Sequence, residues 1–458
     1  MIRRSLVIAL AAALSPLSAQ AADLMQVYEM ARNGDPQLAE AESTRLYNKE
    51  GAVQARAALL PQLDGSASLS RSRTEYEGIS GTSTSKSRSY GINASQTLFN
   101  WSQVSQLRAQ RAISKAADFT LSAANNDLIV RTSAAYFNAL VAIESLAAAQ
   151  TNEAAAKKQF DYADKRLEVG LAPITDVHEA RAQYDQARAD TITARNTLAD
   201  AYQALAEITG QPVRDLKALP DDFHPQVPAG YEDADKLVAE AASDNPSLTA
   251  QQLQVQAAES SVAAARAGHY PTLSLSGSLG RSNSWGSTAS SSTSFSTSGR
   301  DIDSNQIGVT LSVPIFSGGA TQSAVRQALA NRDIAQDTYE QQRRALDRNV
   351  RNYYQTVVQG ISEIEARRLA LVSAQAAYDA SQVGLEVGTR TVLDVVQNQN
   401  ALFSAQLNYA QAKYTFLQNR LLLAQAIGKL DAEQLQDVNR LLTADAEAKL
   451  ADPTVLRQ

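Results

Sequence analysis

Cysteine is absent from all 458 residues, and with it any disulfide framework. An exported chain of this size must then be held by its own packing or by association of copies. The absence also removes the lipid-bearing cysteine of a lipoprotein. Histidine is scarce. His178, His224 and His269 stand far apart in no ligand spacing, so they read as surface or capping residues and no metal site is expected. No run of 18 or more apolar residues follows the first 21, so no transmembrane helix is available. A Ser-His-Asp order, a phosphate-cradling glycine loop and a paired-carboxylate motif are all missing. The chain reads as neither an enzyme nor a cofactor binder. Composition alone favours a soluble periplasmic or secreted protein.

The first residues form a secretory signal. Arg3 and Arg4 supply the positive end, Leu6 to Leu14 the apolar stretch, and Ala19-Gln20-Ala21 a small-residue cleavage site. A mature chain starting at Ala22 loses two arginines and no acids, so the formal charge moves from −6 to −8. That balance argues against nucleic acid as a partner.

What is present is said nearly twice. Arg-Leu-Glu-Val-Gly-Leu-Ala-Pro-Ile-Thr-Asp-Val at 166–177 returns as Gly-Leu-Glu-Val-Gly-Thr-Arg-Thr-Val-Leu-Asp-Val at 384–395. Ala55-Arg56-Ala57, Pro61 and Leu63 return as Ala265-Arg266-Ala267, Pro271 and Leu273. The offset is 210 residues between Pro61 and Pro271 and 218 between Gly170 and Gly388. So long a duplication is not a short solenoid repeat and predicts two similar halves. The expected division is a signal over 1–21, a first repeat over 22–210, a linker over 211–246, a second repeat over 247–428, and a C-terminal segment and tail over 429–458. Linker and tail together suggest a mixed collar.

Proline punctuates the helices. None occurs from Trp101 to Ala172 or from Ile315 to Asp452, and both stretches are rich in helix formers. They predict long helices over 101–169 and 319–387, each about 100 Å long at ~1.5 Å per residue if unbroken. Shorter helices follow over 173–209 and 391–427, and each half opens with another, 37–60 and 247–270. A short pair stacked end to end nearly matches one long helix. Gly170 and Gly388 fit left-handed helix ends, and Pro173 fits a first helical position. Both therefore mark tight turns between antiparallel helices.

Helix 391–427 carries two apolar seams. One runs Leu402, Ala405, Tyr409, Ala412, Phe416, Leu423; the other Leu407, Ala410, Tyr414, Leu417, Leu421, Ala424. Two wide-set seams call for a neighbour on each side. Either a hollow cylinder or an ordinary bundle satisfies that.

Four segments alternate with period two around Leu63–Leu69, Tyr90–Ala94, Leu273–Leu279 and Ile307–Ile315, predicting hairpins over 62–100 and 272–316. Their tips, 76–88 and 284–301, are rich in Gly, Ser and Thr and suit water. Separate hairpins cannot hide their edges or apolar faces, whereas closure with other copies into a membrane barrel can. Tyr90, Phe99, Trp101 and Phe316 lie near strand ends, the level of an aromatic belt. Core packing explains Phe99 and Phe316 equally well.

At this point the chain resembles the TolC family of outer-membrane efflux and secretion channels over essentially its whole mature length. The resemblance rests on Asp23-Leu24-Met25-Gln26-Val27-Tyr28, Asp35-Pro36, Leu60-Pro61-Gln62-Leu63, Tyr270-Pro271-Thr272-Leu273 and Pro314-Ile315-Phe316-Ser317-Gly318-Gly319. The strongest run is Ile174-Thr175-Asp176-Val177 through Ala180-Arg181-Ala182-Gln183-Tyr184-Asp185 to Ile208-Thr209-Gly210. It implies a mainly α fold with a β-barrel part. In it a trimeric, 12-stranded outer-membrane barrel continues into a long periplasmic α-helical coiled-coil barrel. It further implies a passive homotrimeric exit duct for drugs, toxins or proteins. Its partners would be a periplasmic adaptor, an inner-membrane pump of ABC, RND or MFS type, and outer-membrane lipid. A structural coiled-coil protein without channel activity is the alternative.

Carried over residue by residue, the resemblance makes Gly170 and Gly388 the turns that meet the adaptor. It makes Thr175, Asp176 and Arg390 parts of a periplasmic gate, with Arg390 reaching Thr175 and Asp176 on the neighbouring coil. An exposed ion pair of little energy accounts for the same charges. Asp394 matches an acidic ring at the constriction; a helix-start carboxylate favoured by the dipole is the plain alternative. The chain departs from the best-known members at Gln397, where they carry a second acid, and at Leu385, where they carry an aromatic residue. Both departures imply a less secure closed state.

Overall fold

The computed structural model describes residues 22–75, 82–171, 173–220, 222–226, 231, 233–290 and 293–450. The expected signal, 1–21, lies outside them, as do 76–81 and 291–292 of the expected tips and 451–458 of the tail. The chain divides into two compact units. The first comprises 22–42, 121–246 and 343–450 of the described chain, the second 43–120 and 247–342.

The first unit is helical. Its chain begins with α1 (Leu24–Gly34), continues into α2 (Pro36–Ala57), and includes most of α3 (Trp101–Glu168). Next comes α4 (Ile174–Thr209), then β3 (Lys217–Ala218), α5 (Ala234–Asp244) and the start of α6 (Pro246–Arg266). The unit closes with much of α7 (Ala320–Glu386), then α8 (Val392–Ala426), α9 (Ala432–Asn439) and β6 (Ala444–Asp445). The first proline-free stretch thus holds the one long helix α3, and the second holds α7 and α8, reversed at a glycine turn, followed by α9 and β6. Pro173 is the N-cap of α4 rather than its first helical residue, and α7 begins one residue after the expected Gly319.

Both seams of α8 are largely buried, with Ala405, Leu407 and Ala412 half-buried. Tyr414 stacks on Phe137 of α3 with ring centroids 5.9 Å apart. On the other seam Phe416 lies against Gly360 of α7, where an added Cβ would come within 3.0 Å of the ring. One helix therefore has a neighbour on each side, as its two stripes require. Leu24, Leu140, Ile143, Leu198, Leu205, Leu417 and Leu435 join one core across α1, α3, α4, α8 and α9. The Tyr136 hydroxyl, buried in it, lies 3.1 Å from the Ala22 carbonyl and 2.8 Å from that of Lys217, and accepts from the Lys217 N–H. Burial raises its pKa above the usual tyrosine value. Beside it β3 pairs antiparallel with β6, joining the 211–246 stretch to the C-terminal one.

The duplication reaches further back than residue 247. Asp23 caps α1 and Asp233 caps α5. Asp35-Pro36 separates α1 from α2 as Asn245-Pro246 separates α5 from α6. At both junctions a helix end abuts the break: a Cβ on Gly34 would meet the Thr209 carbonyl at the end of α4, and one on Gly428, just after α8, the Asp244 carbonyl. The segment read as linker contains a counterpart of α1, and its eleven residues are easily passed over in a stretch that also holds Pro212, Pro220, Pro225, Pro228 and Pro246.

The second unit holds the sheet. Strands β1 (Gln62–Glu75), β2 (Thr82–Phe99), β4 (Thr272–Ser290) and β5 (Thr293–Ser312) form one antiparallel sheet in the order β1-β2-β4-β5. The two expected hairpins are therefore joined, Ile92 facing Leu279 and Ala94 facing Gly277. The strands also run well into the expected watery tips. Serine tolerates an extended backbone when its hydroxyl finds a partner, as in the Ser68–Ser89 and Ser70–Ser87 pairs at 2.8 and 2.7 Å. At the other end β5 stops at Ser312, so Val313 and Ile315 lie beyond it; Pro314 lacks the N–H a strand needs there. Leu63, Leu69, Ile307 and Val309 leave the sheet's apolar face open, Ile307 being 81% exposed.

Candidate functional site: the helical turns

Four helix ends converge in the first unit. The α3–α4 and α7–α8 turns have the same chemistry. Gly170 and Gly388 take φ of +76° and +77°, a region that costs other residues a Cβ clash. The Leu171 N–H donates to the Arg166 carbonyl and the Gly170 N–H to that of Leu167. In the second copy Thr389 donates to Gly384, and Gly388 to Leu385. Both are the paired bonds of a glycine-terminated helix.

Behind the turns sits a small apolar core of Ala163, Val177, Ala180, Leu385, Val392, Val395 and Val396, with Phe160, Leu167 and Tyr378 packed on it. Leu385 is thus a packing residue here. The sequence reading missed this role because it depends on contacts between helix ends far apart in the chain. In front of the core Val169, Leu171, Ile174 and Val387 are exposed, Val169 by 67% and Leu171 by 68%. Further along the same helices a cavity of about 270 Å³ is lined by Asn152, Gln183, Gln186, Asp190 and Gln399 among others. Gln399 donates to the Asn152 carbonyl across it at 2.9 Å.

Thr391 is the N-cap of α8, and its hydroxyl accepts from the Asp394 N–H at 3.2 Å. The Asp394 carboxylate accepts in return from the Thr391 N–H at 2.9 Å, closing a capping box. These bonds, first the backbone N–H and then the Thr391 side chain, hold the Asp394 carboxyl below the usual carboxylate range, with Arg390 adding to the effect. Arg390 Nη1 lies 4.0 Å from Asp394 Oδ1. Within one chain, then, Arg390 is paired with Asp394. Thr175 and Asp176 lie together in the first turn of α4, Oγ1 to Oδ1 at 3.5 Å. The three histidines are exposed.

At the sheet, Tyr90 and Phe99 are half exposed and Phe316 is 89% exposed, so core packing within the chain accounts for neither Phe99 nor Phe316. Trp101 opens α3 under the Arg108 guanidinium, 4.9 Å from its ring. Trp285, on β4, went unremarked in the sequence because it sits in a serine-rich stretch. Among the described residues no helix is long and apolar enough to cross a membrane.

The family described as "Outer membrane efflux protein" matches residues 27–211 and 237–429, one block in each half. "Outer membrane protein TolC" of Vibrio cholerae serotype O1 is 34% identical over 93% of this chain and 96% of its own length. TolC of Escherichia coli K12 is 35% identical, over 93% and 86%. "Alkaline protease secretion protein AprF" of Pseudomonas aeruginosa is 29% identical over 90% and 86%. Among solved structures the Campylobacter jejuni CmeC outer membrane channel shares the fold at a TM-score of 0.73, covering 92% of this chain and 90% of that one at 19% identity. Both halves thus have relatives, and the chain belongs to the outer membrane efflux protein family, the TolC-type channels of the outer membrane, which is not a family of enzymes.

Proposed function

We propose that three copies of this chain close one passive, water-filled exit duct, each giving four strands to a 12-stranded barrel. The observation that carries this reading is the sheet. Within one chain β1 pairs only with β2 and β5 only with β4 among the described residues, while the apolar face stays uncovered. Free edges and an outward apolar face are both satisfied when copies join edge to edge in a bilayer. A structural coiled-coil protein has no use for such a sheet.

The Gly170 and Gly388 turns, with their exposed valines and leucines, are the docking ends for a periplasmic adaptor. An inner-membrane pump of ABC, RND or MFS type supplies the energy, since the duct itself has no catalytic task. The family description supports efflux and the protease secretion relative supports protein export; one duct serves either. At the gate, Thr175, Asp176 and Arg390 bind weakly, and Asp394 from each copy forms one acidic ring that attracts cations. Weak pairs suit a closure that docking must release. Planar-bilayer recordings test the reading: unitary currents are expected from the purified protein, and a protein that enters bilayers without passing ions contradicts it. Cysteines placed beside Gly170 and Gly388 should crosslink to the adaptor in cells; crosslinks only between copies of the chain would remove the docking role.

A further inference from the structure

The register of the sheet sorts its side chains by height. On the apolar face Leu63, Ala94, Gly277 and Ile307 share one row, and Ile92, Leu279 and Asn305 another. Two residues further from the helices along each strand the same face turns ionic. Arg281 pairs with Asp303, and in the next row Arg88 reaches Asp301 at 3.3 Å while Asn283 donates to it at 2.6 Å. In the row after that Arg71 lies directly opposite Lys86, with Trp285 beside Lys86. Arg73 is held by Glu75 at 3.0 Å. Among the described residues neither Arg71 nor Lys86 has a carboxylate partner. Like charges directly opposite on adjacent strands repel, so this pair calls for an anion from outside the chain. It stands on the lipid-facing side, beyond the two ionic rows that follow the apolar band and at the end away from the helices. A neighbouring tryptophan suits the head-group level.

We propose that Arg71 and Lys86 form a docking site for the phosphorylated head group of an outer-leaflet glycolipid. The arginine fork takes phosphate oxygens in two parallel bonds, and the lysine adds a compact charge. The site rests on the sheet's place in the outer membrane. Each phosphate bound there also relieves the repulsion within the pair, so lipid and strand pairing support each other.

Delipidated, detergent-purified protein titrated with bisphosphorylated lipid A, and separately with phosphatidylglycerol, tests this when bound lipid is counted by native mass spectrometry. The Arg71→Gln/Lys86→Gln double variant should bind lipid A about tenfold or more weakly, and Arg71→Lys, which keeps the charge but loses the fork, should fall between it and the wild type. Wild-type protein should also bind dephosphorylated lipid A poorly, a comparison that needs no variant to fold. Unchanged lipid A binding by the double variant overturns the site, as does equal affinity for phosphatidylglycerol. Loss of the assembled complex without change in lipid retention would assign the two cations to strand closure instead. Wild-type protein that binds detergent and passes current but ignores lipid A overturns this proposal alone; protein that never associates with detergent overturns the channel reading.

Discussion

Asp35 is the carboxylate most committed to the folded state. Its side chain is nearly inaccessible and lies 2.6 Å from Arg131 Nη2, while Arg131 Nε reaches Asp127 at 2.7 Å. Burial alone would raise the Asp35 pKa. The hydrogen bond and charge of Arg131, with the N–H groups of Leu38 and Gln37, outweigh burial and lower it. Arg131→Leu leaves that charge buried and unmatched, at a cost of about 3 kcal/mol; a clear fall in the denaturant midpoint is expected, and an unchanged midpoint would contradict the account. Asp35 and Asp394 both have lowered folded values. Each therefore contributes stability that is fully present above the ordinary carboxylate pKa of about 4 and lost as pH falls through its own lower value. Acid below about pH 4 should loosen the α1–α2 junction and the α7–α8 turn, as followed by hydrogen exchange. At the gate, Arg390→Ser should raise closed-state conductance, and an unchanged value would remove Arg390 from it. Gln397→Glu should add a second acidic ring and lower the divalent cation concentration that blocks the current; the same blocking concentration would show that position 397 does not face the pore.

Among the elements, glycine works in two different ways. At Gly170 and Gly388 nothing lies within 4 Å of an added Cβ, so only the positive φ matters. Gly388→Ala should cost roughly 1–2 kcal/mol, seen as faster amide exchange confined to the α7–α8 turn. At Gly34 and Gly428 an added Cβ would strike a backbone carbonyl oxygen of the facing helix end, of Thr209 and of Asp244 respectively, and Gly428 takes a positive φ as well. Alanine there should separate the helix junctions and lower the unfolding midpoint by more than Gly388→Ala does; equal effects would mean the junctions yield freely. The long helices and both α8 seams were legible because proline, glycine and apolar spacing act within one segment. The strand ends were not. Serine and threonine alternation carries little apolar contrast, so β2, β4 and β5 outrun the pattern that announced them. The role of Leu385 was hidden for another reason: its partners Val177 and Ala180 come from the other half of the chain.

For the whole molecule, the duplication carries the argument from sequence to architecture. Each half supplies a hairpin, a long helix and a glycine turn, and the family matches the halves as two blocks. A repeat announces how many units one chain contributes but not how many chains close the circle, because closure depends on edges that only other copies can meet. The same holds for the proposed gate: within one chain Arg390 faces Asp394, and the proposed pairing with Thr175 and Asp176 requires another copy. The most direct test is the mass of the purified mature protein in detergent. The account predicts a complex of three chains that needs detergent to stay in solution. A single chain, stable in plain buffer, would contradict it.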